Sequence, residues 1–469
     1  MKNILLLFFL SFSFNLFSQN AHEYHVKIKG MEDTVIYFGH HYGDKQYVID
    51  TIPTNAKGEA VIAGSDTLKG GIYLVVMPKL KNKYFELIIN EPTFSLETDT
   101  TDFTVYMKFK GSPENTAFYD DLNFINTKRK EADPLKEKLK TLEAESEEAK
   151  KLKDELIAIN KSVEDERKSI QTKHPELFYA KFLKALEDVK IPEAPVNADG
   201  TKDSLFAYKY VRAHFFDNID FGDDRFLRSS LLQAKIKKYL DSYVPRIPDS
   251  ISVAVDYIIN KANANTEVFK FAVVTLLNDY ANSKIMGMDA VYVHMVDTYY
   301  KTGKAYWADA TALYKITSQA DKIRPTLIGK IAPNILLQDS SGHDIPLYSV
   351  KKKYTVILFW DVDCSHCKKE MPKLELAYPQ IKERNAEVYA VYSQEEWDKW
   401  KKQLKEKNYP WINVGNVSMK SNFQSQYYVD QTPMIFIVND KKEIIAKKIA
   451  VEQIVEVLDN YNAIEKQQK

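Results

Sequence analysis

The chain has 469 residues, 45% of them hydrophobic and 28% charged, which is globular composition and excludes a mostly disordered or fibrous chain. The length suits about three domains. Lys+Arg and Asp+Glu are 65 each, so the formal charge is zero and no overall basic field exists to attract nucleic acid, while two cysteines exclude a disulfide-stapled scaffold.

The chain opens MKNILLLFFLSFSFNLFSQN, with Lys2 as its one charge and a mostly apolar run from Ile4 to Phe17. A short positive start, an apolar core and a small residue near the end predict a secretory signal peptide over residues 1–19. Cleavage is expected after Ser18 or Gln19. A retained anchor is the competing reading, and the run is short for a membrane span. No cysteine lies near the cleavage point, so a lipid anchor on cysteine is not available. The expectation is a protein exported to the periplasm or cell envelope, and not a lipoprotein.

Residues 20–112 alternate with period two. Val26 and Ile28 interleave with Lys27 and Lys29, and Ile72–Val76 and Tyr84–Ile89 are β-branched and aromatic runs. Turn-like pieces at Asn55–Gly58 and Gly70-Gly71 separate them, so a small antiparallel β-domain is predicted. His22, His25, His40 and His41 show no catalytic spacing, and the adjacent pair His40-His41 points to opposite faces of a strand.

Residues 113–325 change to a helical period. Leu135, Leu139, Leu142, Ala149, Leu152, Leu156, Ile159 and Val163 follow three-and-four spacing with a phase slip near Ser146. This predicts a long charged amphipathic helix, with a homodimer through this region as an alternative use of its short seam. Pro192 and Pro195 mark a break. Helices are expected at Val268–Tyr280 and Met288–Tyr300, with Tyr292, Tyr299, Tyr300, Tyr306 and Trp307 packed between them.

Residues 326–469 alternate strand and helix. Ile335–Leu337, Tyr354–Phe359, Val388–Tyr392 and Met434–Val438 are short apolar runs, with helical patterns at Lys368–Arg384 and Glu395–Lys407. Ser393 with Glu396 reads as a capping box for the second of these helices. The fold class is therefore multidomain: an N-terminal antiparallel β-domain, a central all-α region and a C-terminal α/β unit.

Both cysteines fall in one tetrapeptide, Cys364-Ser365-His366-Cys367, between the predicted strand Tyr354–Phe359 and a helix. A cysteine at a helix N-terminus meets partial positive charge and free N–H donors, which favour the thiolate. Cys364 is the more exposed sulfur and Cys367, one turn in, is placed to attack a mixed disulfide. His366 adds positive charge while Asp361 and Asp363 oppose it. A zinc site needs four ligands where only one cysteine pair exists. A structural disulfide closing so short a loop would remove little unfolded-state entropy. No metal or organic cofactor is required. Thr432-Pro433 precedes the strand Met434–Val438; proline at a strand start spares the ladder, and on the residues alone an ordinary trans entry is expected there.

These residues resemble the thioredoxin superfamily, most closely the exported TlpA/ResA-type proteins related to the AhpC/TSA group. The matching positions are Ala332-Pro333-Asn334, Phe359-Trp360, the Cys364–Cys367 tetrapeptide, Lys368-Lys369-Glu370-Met371-Pro372, and Thr432-Pro433 with Phe436 after it. The resemblance implies a thioredoxin fold, Cys364 as nucleophile, Cys367 as resolving thiol and a cis Pro433 beside them. Trp360, Ser365, His366, Thr432 and Pro433 are the expected substrate contacts. Leu358 stands where thioredoxin carries a buried Asp, which leaves Glu370 or water to take the Cys367 proton. Ile357 and Asp361 occupy the Pro and Thr positions of the peroxiredoxin pattern, so peroxidase chemistry is not expected. The expected activity is thiol–disulfide exchange with cysteines of envelope proteins, reset by an electron donor or acceptor protein. A binding or assembly module on a redox-silent thioredoxin scaffold is the alternative.

Overall fold

A computed structural model describes residues 21–196 and 198–467; the signal-peptide reading of residues 1–19 lies outside them. The chain divides into two compact units, one of residues up to Tyr243 with Asn263–Val268, the other of Val244–Ala262 and the residues from Phe269 onward.

In the first unit, eight strands build two four-stranded sheets. They are β1 (His22–Lys29), β2 (Val35–Tyr42), β3 (Lys45–Pro53), β4 (Glu59–Gly64), β5 (Gly71–Met77), β6 (Lys83–Ile89), β7 (Thr93–Asp99) and β8 (Lys108–Lys110). The orders are β4-β1-β7-β8 and β3-β2-β5-β6. Period-two alternation turns Tyr24, Val26 and Ile28 of one sheet and Phe38, Val75 and Leu87 of the other into a shared core. The pairing is antiparallel except that β1 runs parallel to β7, with Val26 opposite Leu96.

The helix expected across Leu135–Val163 is two helices, α1 (Pro113–Leu139) and α2 (Glu147–Lys173). The Ser146 side chain accepts the Ala149 N–H and caps α2, so the phase slip marks a chain reversal. Lys138 pairs with Glu148 beside the turn and Arg167 with Asp121 farther along, which makes the two helices antiparallel. Ala149 and Leu152 of the seam are buried within the chain, while Leu135, Leu139, Leu142, Leu156, Ile159 and Val163 are half-buried. Three shorter helices follow: α3 (Phe178–Leu186), α4 (Phe206–His214) and α5 (Leu231–Tyr243). Buried Glu114 of α1 accepts the N–H groups of Phe178 and Tyr179 at 2.6 and 3.0 Å, satisfying donors that the start of α3 leaves open.

The second unit contains α6 (Pro248–Ala262), most of α7 (Thr266–Ala281), α8 (Asp289–Met295), a π-helical turn (Val296–Tyr300) and α9 (Ala310–Ile323). Tyr292, Tyr299 and Tyr300 are buried there, but Tyr306 is 63% exposed. Tyr306 lies beyond the π turn with its ring edge-on to Trp307 at 5.0 Å, and does not pack between helices as expected.

The same unit carries a seven-stranded mixed sheet with helices around it. Its elements are β9 (Leu336–Gln338), β10 (Asp344–Pro346), β11 (Tyr354–Trp360), α10 (Ser365–Glu383), β12 (Ala386–Tyr392), α11 (Trp397–Lys407), β13 (Ile412–Gly415), α12 (Phe423–Gln426), β14 (Met434–Val438), β15 (Ile444–Lys447) and α13 (Ile454–Gln467). The order is β10-β9-β13-β12-β11-β14-β15. Both faces of the central strands are buried, which explains their unbroken apolar runs. Val356, Leu358 and Trp360 pack with Met371, Trp400 and Leu458 on one face; Ile357 and Phe359 pack with Leu347, Phe423 and Tyr427 on the other. The capping box does not form: α11 starts at Trp397, with Glu396 as a cap that makes no side-chain bond. Ser393 still extends β12, its N–H bonded to the Trp360 carbonyl. Among the described residues, no helix is long and apolar enough to cross a membrane.

Candidate active site

The central pairing of the sheet assembles the site. β11 ends at Trp360 and α10 begins at Ser365, so Cys364 is the helix N-cap. Its Sγ accepts the Cys367 N–H at 3.3 Å, a bond that uses one of the open donors of the first turn. β14 enters beside β11 with Met434 opposite Phe359. That register brings the preceding loop to the same end of the sheet. The Cys364 thiol donates to the Thr432 carbonyl, with sulfur and oxygen 3.1 Å apart. The Thr432–Pro433 peptide bond is cis, as the family resemblance implies and against the trans reading of the residues alone.

The two sulfurs are free thiols in unlike surroundings. Cys364 is partly exposed and Cys367 is buried. Partial burial acts to raise the Cys364 pKa, but hydrogen bonding from the Thr432 side chain and from the Cys367 backbone outweighs it and holds the thiol below its ordinary range. Burial dominates at Cys367 and pushes it up to about 12. One sulfur is thus set to ionise and meet solvent, while its neighbour keeps its proton.

The other expected site residues divide. Ser365 and His366 are exposed on the first turn of α10, and Thr432 and Pro433 are half-buried beside the thiol. Trp360 is not a client contact: it is 1% exposed, with Tyr392 and Tyr409 edge-on against it, its apolar ring belonging to the core beneath the site. Leu358 is likewise buried in the core, so β11 presents no ionisable group there. Glu370, one turn beyond Cys367, directs one carboxylate oxygen to Lys373 at 2.6 Å. Its other oxygen is closed off from solvent and has no partner. Lys399 escaped sequence reading. It reaches from α11 to Asp363 at 2.9 Å and to Glu396 at 2.8 Å, and so compensates the negative charge next to Cys364. Among the described residues, no three His, Cys, Asp or Glu side chains gather to hold a metal ion.

Parts of the chain are similar to known proteins. Residues 328–447 match the AhpC/TSA family, while residues 142–324 and 24–118 match two domains of unknown function, DUF5106 and DUF4369. The thiol-disulfide oxidoreductase ResA of Bacillus cereus is 31% identical over 134 residues, covering 29% of this chain and 76% of its own length. ResA of Bacillus subtilis is 38% identical over 63 residues, 13% of this chain and 35% of its own. A thioredoxin-like protein of Bacteroides caccae aligns with 20% identity and a TM-score of 0.46, over 58% of this chain and 99% of that one. The thioredoxin domain of a thiol-disulfide oxidoreductase from Bacteroides vulgatus aligns with 27% identity and a TM-score of 0.27, over 29% of this chain and 96% of its own.

Proposed function

This chain belongs to the thioredoxin superfamily, in its ResA-type branch of thiol-disulfide oxidoreductases, and from that premise we propose that it is exported and exchanges disulfides with proteins of the cell envelope through Cys364. The observation that carries the reading is the asymmetry of the sulfur pair: a partly exposed N-cap thiol of lowered pKa one turn from a buried thiol of raised pKa. That is the division of labour that exchange requires.

The cycle follows from the geometry. The Cys364 thiolate attacks one sulfur of a client disulfide; a mixed disulfide forms and the second client sulfur leaves as a thiolate. Cys367 gives up its proton, for which the unpartnered oxygen of Glu370 is the acceptor on the same helix. It then attacks the Cys364 sulfur, releases the client thiol and leaves the 364–367 disulfide. Two electrons pass from this protein to the client. Run in reverse, the same steps oxidise a client dithiol. A donor or acceptor protein resets the pair, and no metal or organic cofactor enters either direction. The apolar run after Lys2 supports export.

Insulin reduction driven by dithiothreitol tests the activity. The full chain is expected to shorten the lag before precipitation, and Cys364→Ser to match the uncatalysed reaction. Equal rates for the two proteins would overturn the assignment and favour the scaffold reading. Sequencing the N-terminus of the protein made in a bacterial host tests export, a new end after Ser18 or Gln19 being expected.

A further inference from the structure

We propose that clients bind as extended segments that continue from Cys364 into a groove between α9 and α12, where an acidic client residue meets Lys322. This deepens the reading above and rests on it. The groove has a volume of about 440 Å³ and lies within the second unit, its walls including Tyr314, Ser318 and Lys322 from the helical segment and Ser425 and Gln426 from α12.

Three observations assign it to a polypeptide. First, one short loop joins its wall at Gln426 to the sulfur site at Thr432. Thr432 touches Cys364, Asp430 pairs with Lys448, and the Tyr428 ring sits under the ammonium groups of both Lys448 and Lys322, each 5.8 Å away. From Gln426 to Thr432 the chain spans at most about 22 Å, the reach of some six or seven residues of an extended client. Second, the lining offers uncommitted groups of the kinds that peptides use. Tyr314 is 72% exposed with no ring partner, and the side chains of Ser318, Ser425 and Gln426 hold no hydrogen bond within the described residues, leaving them free for a peptide backbone. Exposed tyrosine is a favoured anchor, giving a large contact for little lost freedom. Third, the charge is one-sided. Asp321 is already taken by Lys301 at 2.6 Å and Arg324 at 3.3 Å, whereas Lys322 has no carboxylate partner among the described residues. A client carboxylate is the complement it lacks.

The helical segment before the sheet therefore selects clients, while the sulfur pair does the exchange. Short peptides with one cysteine, held as a mixed disulfide with 5-thio-2-nitrobenzoate, test this on the reduced full-length protein. Attack by Cys364 on the peptide sulfur expels the coloured thiolate, since the lower-pKa thiol leaves faster. Peptides with Glu placed five to seven residues from cysteine, on either side, should react about two- to five-fold faster than Lys counterparts. Lys322→Glu should reverse that order, and Tyr314→Ala should slow the peptides about five-fold while leaving the rate with dithiobis(nitrobenzoate) unchanged. Peptide rates indifferent to Glu, Lys322 and Tyr314, with the small reagent still reacting normally, would overturn the groove assignment alone. A dead reaction with the small reagent would overturn the exchange activity itself. Loss of both rates in Tyr314→Ala alone would signal misfolding, and Lys322→Glu then decides the matter.

Discussion

Lys399 holds Asp363 at 2.9 Å, across 36 residues of sequence. The pair ties α11 to the residue next to Cys364. Lys399 lowers the Asp363 pKa, so that carboxylate stays ionised, with its charge offset by the lysine rather than left facing the sulfur. Lys399→Ala should slow alkylation of Cys364 by iodoacetamide at neutral pH, and Asp363→Asn should speed it. The pair is exposed, so each effect should be under about five-fold. The double variant should return close to wild type. Unchanged alkylation rates in both single variants would show that neither charge reaches the sulfur.

The unlike thiols set the pH profile of the reduced protein. A group whose pKa is lowered carries its charge at lower pH than a free one. Cys364 alkylation should therefore reach half its maximal rate below pH 8.5, the free-cysteine value, while Cys367 should resist alkylation until far higher pH, near its value of about 12. Mass spectrometry of the labelled chain separates the two sites. A single midpoint near 8.5 for both would contradict the asymmetry.

Cys367→Ser removes the resolving sulfur and leaves the attacking one. It should accumulate a mixed disulfide on Cys364 that survives non-reducing electrophoresis, with turnover of insulin down at least a hundred-fold. Turnover at the wild-type rate would show that Cys367 is not needed.

Lys447 is buried at 3% exposure, 2.5 Å from Asp289 of α8 and 2.7 Å from the Thr326 carbonyl. Burial acts to lower its pKa, and Asp289 supplies the opposing charge. Asp289→Ala should cost about 3–5 kcal/mol, because it strands a buried cation. Lys447→Met, which removes the cation itself, should cost less. Thermal unfolding of the two variants gives the comparison, and equal losses would indicate that the charge pairing contributes nothing.

Trp360 is in the core, with no hydrogen bond from its indole N–H. Trp360→Phe should therefore lower stability by about 1–3 kcal/mol through packing, yet leave the exchange rate of the folded protein within two-fold. A larger fall in rate at full folding would restore Trp360 to the client surface.

What the sequence disclosed was mostly local. The runs at Tyr354–Phe359 and Met434–Val438 became β11 and β14 because both faces are buried, and continuous apolarity marks such strands well. The tetrapeptide at a helix start revealed the sulfur pair. What was hidden depends on distant partners. The parallel pairing of β1 with β7 joins segments some 70 residues apart, and period two says nothing about which neighbour a strand chooses. Lys399 looks like any surface lysine until α11 brings it beside Asp363. Ser393 and Glu396 have the spacing of a cap, but the backbone at Ser393 was already committed to the sheet. Trp360 shares the motif with the cysteines, yet strand alternation turns it inward, a distinction visible only once β11 is set in its register.

That register has a consequence for the chain's life before folding. Met434 must stand opposite Phe359 before the loop carrying Thr432 can close on Cys364. Until then the two cysteines are ordinary thiols on a flexible thread, without a helix to favour the anion or a sheet to bury the second. A newly made chain is thus chemically quiet, and its sulfur becomes aggressive only when the architecture around it is finished.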